Sequence, residues 1–182
     1  MPFRSRAFFL STGPYALVDF QIRAHDWGSR RGDTVGELDL EAVTESFVVV
    51  GVDGSESSLH AVDWATDEAR YRDAELRVVH VRLLEQQVVE SPLLANEARR
   101  ESAMVRSAVE RAQLRSREIV VNAYMVDPPT AESLIQASIG AELLVVGSRG
   151  LNRMQEILLG SVSRECVVGA HCSVLVVRSQ LP

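Results

Sequence analysis

From residue 46 onward, short apolar runs alternate with stretches of helical period. Phe47 to Val52 is a β-branched run and predicts a buried strand. Ser55 is placed to cap a helix over residues 56–72, with Ala61, Val62, Ala65 and Ala69 on one face and Asp63, Asp67 and Arg70 on the other. Leu76 to Val81 predicts a second strand. A long arginine- and glutamate-rich helix follows over 92–117, striped by Leu94, Ala98, Val105, Val109 and Ala112. Ile119 to Met125 reads as a third strand and Pro128-Pro129 as a loop. A helix over 131–139 leads to a fourth strand, Leu143 to Val146. Ser161 to Val168 then predicts a helix and Val174 to Val177 a fifth strand.

Strands that alternate with helices build a parallel sheet covered on both faces. The expected fold is α/β, a doubly wound five-stranded parallel sheet. The common strand order for such a sheet, 3-2-1-4-5, reverses the winding between strands 1 and 4. Ligands then bind outside the carboxyl ends of the strands at that switch point. Residues 1–45 break the pattern with scattered aromatics, glycines and an Arg30-Arg31 pair. They are expected to form an irregular extension without a packed fold, in preference to a partner-binding arm, with one domain over 46–180.

Composition removes several function classes. All 19 basic residues are arginine, so no P-loop lysine, Schiff-base lysine or catalytic lysine exists. The net charge of −6 with no basic block argues against nucleic-acid binding. No segment reaches the roughly 18 consecutive apolar residues of a membrane span, and Ala7 to Leu10 is short for a signal core. Cys166 and Cys172 are two cysteines in apolar surroundings, which points to buried thiols in a reducing cytoplasm.

The two turns at the expected switch point carry the chemistry. The first is Gly51-Val52-Asp53-Gly54-Ser55. Asp53 at a strand tip can accept hydrogen bonds from ribose hydroxyls or share Mg²⁺ with phosphate oxygens; equally, it can cap the following helix with Ser55. The turn alone leaves these readings even. The second turn opens with Gly147-Ser148-Arg149-Gly150 and closes on Gly160-Ser161-Val162-Ser163. Its glycines let backbone N–H groups approach an anion at a helix N-terminus. Ser161 and Ser163 offer N–H and O–H donors, and Arg149 and Arg153 can pair with phosphates.

The pattern Gly-x-x-Gly, nine residues, Gly-Ser, together with Gly-Val-Asp-Gly-Ser after strand 1, resembles the universal stress protein family. Leu76 to Val81 and Ala170 to Val177 support it, and the resemblance covers about residues 46–178. It implies a Rossmann-like fold of the adenine nucleotide alpha hydrolase type that often binds ATP or AMP. By residue match, Gly51, Val52 and Asp53 would contact the nucleoside and Val81 would meet adenine. Gly147 through Arg153 and Gly160 through Ser163 would hold ribose and phosphates. It also implies a homodimer through the last strand, Val174 to Val177, an apolar edge that otherwise invites aggregation. The chain departs from the family at Ser173, where proline is common. It also departs at Val126-Asp127-Pro128-Pro129-Thr130, which lacks a common glycine near the adenine position.

The expected role is therefore a nucleotide-binding regulator in stress adaptation, with no dedicated base for catalysis and at most slow ATP hydrolysis or autophosphorylation. The alternative is a nucleotide-free interaction module of the same fold. A receiver domain would want a lysine after its last strand, and a flavin domain a Ser/Thr-rich first turn. Of the remaining residues, Trp64 is expected in the core, His60 on a half-buried helix face, and His80 near the sheet edge. The charged residues of 97–118 are expected to form a solvated face.

Overall fold

The computed structural model describes residues 46–82, 92–148 and 159–178, with side chains in the second helix described from Asn96. The elements run β1 Phe47–Gly51, α1 Glu56–Tyr71, β2 Glu75–Val81, α2 Pro92–Arg115, β3 Val121–Val126, α3 Thr130–Ala137, β4 Leu143–Gly147, α4 Ser161–Gly169 and β5 Ser173–Val177. The five strands form one parallel sheet in the order β3-β2-β1-β4-β5. Residues 1–45 lie outside the described residues.

The continuous apolar runs have a direct structural cause. Successive strand residues point to opposite faces, and helices cover both. Val48, Val50, Leu76, Val78 and Val145 face α1 and α2, where they meet Ala61, Val62, Ala65, Ala69, Val105, Val109 and Ala112. Phe47, Val49, Val79, Val81, Leu144 and Val146 face the other way, toward Leu134 of α3 and Cys166 of α4. Burying each valine or leucine in these layers stabilises the fold by about 1.5–3 kcal/mol before entropy is counted.

Several side chains sit elsewhere than their local pattern predicts. Trp64 is 54% exposed on the outer flank of α1, not in the core. Ala98 is exposed as well, and the apolar stripe of α2 is carried by Val105, Ala108, Val109 and Ala112. Leu94 lies outside the described side chains. His80 is on β2, which is paired on both sides and is not the sheet edge. The charged face of α2 is partly used internally. Arg111 grips Asp63 with bonds of 2.7 and 2.6 Å, and Arg115 grips Asp67 with bonds of 2.9 and 2.6 Å, clamping α2 to α1. The hydrogen bond from Arg115 holds the Asp67 carboxyl below its ordinary range.

Cys166 is fully buried, and burial, with Glu165 nearby, pushes its thiol up to about 11. At pH 8 an alkylating reagent is therefore expected to label half-buried Cys172 and spare Cys166 until denaturant is added. Equal labelling of both in the native protein, read by peptide mass mapping, would contradict this packing of α4.

Candidate functional site

Strands β1 and β4 are adjacent and parallel, with Val48, Val49 and Val50 opposite Leu143, Leu144 and Val145. Their carboxyl ends lie on the same side of the sheet. The chain winds from β1 outward through β2 to β3, then returns across to β4 and β5, so the turns after β1 and β4 leave at the reversal point.

The first turn is organised from within. Ser55 caps α1 by accepting from the Ser58 N–H at 3.3 Å. One carboxylate oxygen of Asp53 accepts from the Ser55 N–H at 3.0 Å and from its hydroxyl at 2.6 Å. Asp53 thus steadies the capping residue, and in these contacts its carboxylate does not itself bond the first turn of α1 but is held half-buried after β1. Gly54 has φ +81, and a Cβ there would come 3.1 Å from Met104 on α2, so this position calls for glycine. The Val52 N–H donates to the Val79 carbonyl at 2.9 Å, pinning the turn to β2.

Gly147 is the point where the two turns touch. A Cβ on it would lie 2.7 Å from Ser57 Oγ and 2.9 Å from the Ser57 carbonyl carbon and the Ser58 nitrogen. The end of β4 therefore packs directly on the first turn of α1. Ser163 on α4 donates its hydroxyl to the Gly147 carbonyl at 2.6 Å. Ser148 donates its N–H to the Val177 carbonyl at 2.7 Å and accepts from the Gly160 N–H at 2.7 Å. Gly147 thus ties the start of α1 to the start of α4. The Ser163 hydroxyl and the buried Ser148 are taken up in holding this junction.

Gly160 is the N-cap residue of α4, with φ −67 and ψ 161, and its missing side chain makes no cap bond. The helix N-terminus carries Ser161, exposed, and Val162, half-buried. Such an end offers backbone N–H groups and a positive dipole to an anion. Beside it, Gly51 packs under Leu134, and Val81 closes β2 in the same apolar cluster as Val126 and Val146. Buried apolar side chains thus end the sheet toward β2 and β3, and a polar helix end lies toward β4 and β5. Arg149, Gly150 and Arg153 lie outside the described residues.

Pattern reading passed over other residues at this end of the sheet. Arg82 bonds Asp127 at 2.8 Å, closing the carboxyl ends of β2 and β3 together. His80 lies between turn and helix, its Nδ1 2.9 Å from the Val52 carbonyl. The available signal was a polar residue interrupting the apolar run Val78-Val79-His80-Val81. Among the described residues, no three of His, Cys, Asp and Glu stand together as a metal site, and no helix is long and apolar enough to cross a membrane.

Comparison with known proteins follows the same boundaries. The model of the universal stress protein family matches residues 47–178. A universal stress protein of Mycobacterium tuberculosis is 32% identical over 139 residues, covering 76% of this chain and 50% of the relative. Another from the same organism is 38% identical over 133 residues, covering 72% of this chain and 45% of that one. The chain thus spans about half the length of the curated relatives it matches. A universal stress protein solved in complex with cAMP superposes with a TM-score of 0.62 at 29% identity, covering 75% of this chain and 99% of that one. The sheet order, the two glycine turns and the span of the family match agree, and the chain belongs to the universal stress protein family.

Proposed function

We propose that this protein binds an adenine nucleotide, ATP or AMP, where the turns after β1 and β4 meet, and acts through that binding as a regulator in stress adaptation. The observation that carries this reading is the junction at Gly147, which holds the starts of α1 and α4 against the end of one strand. Asp53 then accepts from ribose hydroxyls, with Gly51 and Val52 beneath the nucleoside. Val81 and the apolar cluster around it take the face of the base. The N-terminus of α4 takes phosphate through the backbone N–H groups of Ser161, Val162 and Ser163 and the Ser161 hydroxyl, joined by Arg149, Gly150 and Arg153 of the same loop, while Gly147, Ser148 and Gly160 hold the junction beneath. The relative solved with cAMP supports an adenylate as the ligand class.

Mg²⁺ fits this donor set. It keeps most of its waters and needs only one or two carboxylates beside substrate phosphates, which Asp53 would provide. The reading is a binding protein, with at most slow ATP hydrolysis or autophosphorylation. Among the described residues β5 is paired on one side only, by β4, and Val174, Leu175 and Val176 remain partly exposed. A second copy adding at that edge would cover them, giving a homodimer. A cytoplasmic setting suits its two free thiols.

Equilibrium dialysis with labelled ATP and Mg²⁺ tests the reading. Saturable binding below millimolar nucleotide is expected. Asp53→Ala should weaken it about tenfold, through loss of a charge-assisted hydrogen bond. Gly160→Val should remove it. Position 160 has a φ that admits a side chain, so valine obstructs an approaching ligand, and thermal unfolding read in parallel shows whether the fold is retained. Unchanged loading in both variants would move the site elsewhere, and no saturable binding by the wild type would favour the nucleotide-free module.

A further inference from the structure

His80 is 5% exposed, and the nucleotide reading as stated gives it no task. Its Nδ1 lies 2.9 Å from the Val52 carbonyl. A carbonyl only accepts, so Nδ1 carries the proton and donates. The opposite nitrogen, Nε2, lies 3.5 Å from Glu101 Oε1 on α2, within ion-pair distance but without hydrogen-bond geometry. Glu101 is itself buried, 9% exposed. Desolvating an imidazole and a carboxylate is costly, and an apolar pair would pack between β2 and α2 without that cost. What the pair supplies instead is a fixed carbonyl. The Val52 N–H is already bonded to Val79, so the imidazole completes the attachment of this residue to β2 from both its polar groups. The next residue is Asp53.

We propose that His80 is a positioning residue for the nucleotide-binding turn, holding the Val52 carbonyl through Nδ1–H while Glu101 orients the ring. This rests on the nucleotide reading of the site. With the peptide after Val52 locked, the Asp53 carboxylate is presented to the ribose already ordered, and binding avoids the entropy of fixing it. Glu101 Oε1, 3.5 Å from Nε2, acts on the ring by its charge at ion-pair distance and not through a hydrogen bond.

The test compares three substitutions at position 80 in the full chain, with ATP and Mg²⁺ as the probe and thermal unfolding read in parallel. His80→Leu keeps the apolar contacts and removes both polar contacts. It removes one partner of a buried pair, so it should unfold earlier than the wild type and bind ATP about tenfold more weakly, the loss of one buried hydrogen bond. His80→Asn puts an amide N–H near the Nδ1 position and should restore affinity to within about threefold. His80→Gln carries its amide one carbon further, past the Val52 carbonyl, and should stay as weak as leucine. Should the leucine variant not fold, the order of asparagine over glutamine still decides. Glu101→Leu should weaken binding by about threefold or more, through the loosened ring. Wild-type affinity in His80→Leu, or equal affinity of the asparagine and glutamine variants, overturns the role of His80. Unchanged affinity in Glu101→Leu overturns that of Glu101. If the wild type itself binds no ATP, the failure belongs to the nucleotide reading, and the positioning role falls with it.

Discussion

Gly147→Ala is expected to cost about 3 kcal/mol of stability and to remove nucleotide binding in the same protein. The added methyl would lie 2.9 Å from two backbone atoms of α1, as well as 2.7 Å from Ser57 Oγ. A side-chain tip can swing aside, but the backbone of a packed helix cannot. Ala61, Val62, Ala65 and Ala69 of that helix are fully buried against the sheet, so moving its first turn disturbs the whole layer. The displaced turn carries Ser55, Ser57 and Ser58, which frame Asp53, and the same residue anchors α4 through Ser163. Urea unfolding with parallel ATP binding provides the check. Gly160→Ala is the control, expected to lose no more than about 1 kcal/mol, because its φ of −67 admits alanine and the change is confined to a helix cap. A Gly147→Ala protein with wild-type stability would mean that β4 and α1 are further apart than described here.

Leu144→Ala is expected to be comparably damaging, for a different reason. Leu144 is completely buried on the face of β4 that meets α3 and α4. It pairs in register with Val49 on β1 and Val174 on β5, and its cluster includes Leu134 and Cys166. Truncation loses the transfer energy of the removed carbons and leaves a cavity that strands hydrogen-bonded on both sides cannot close. About 3 kcal/mol is the expected loss, near the middle of the usual range for such changes. In a domain of this size that lowers the melting midpoint by about 10 °C. Val168→Ala, at a position 83% exposed on α4, should move it by less than about 2 °C. A drop of similar size in both variants would place the core elsewhere.

The elements were readable because parallel strands buried on both faces leave an unbroken apolar signature, and the alanine-rich stripe of α1 leaves a helical one. Boundaries shifted where backbone pairing, not hydrophobicity, ends a strand. Val52 continues the apolar run but belongs to the turn, and β3 begins at Val121 although Ile119 is already apolar. Trp64 was misplaced because its type outweighed its position. It follows Asp63, which faces α2 through Arg111, and so lies round the outside of the helix. His80 was misread because its partners, Val52 and Glu101, come from other elements and leave no local period.

The amino-acid sequence by itself determined the alternation of strands and helices, the glycine turns after β1 and β4, and membership of the family. Each of these is written in residue type and spacing over short stretches. The tertiary structure alone decided that Gly147 abuts the first turn of α1, that Ser163 and Ser148 are taken up in that junction, and that His80 faces the Val52 carbonyl. Such contacts join residues remote in the chain. They depend on which strand lies beside which and on how closely a helix settles on the sheet, and no local pattern encodes either.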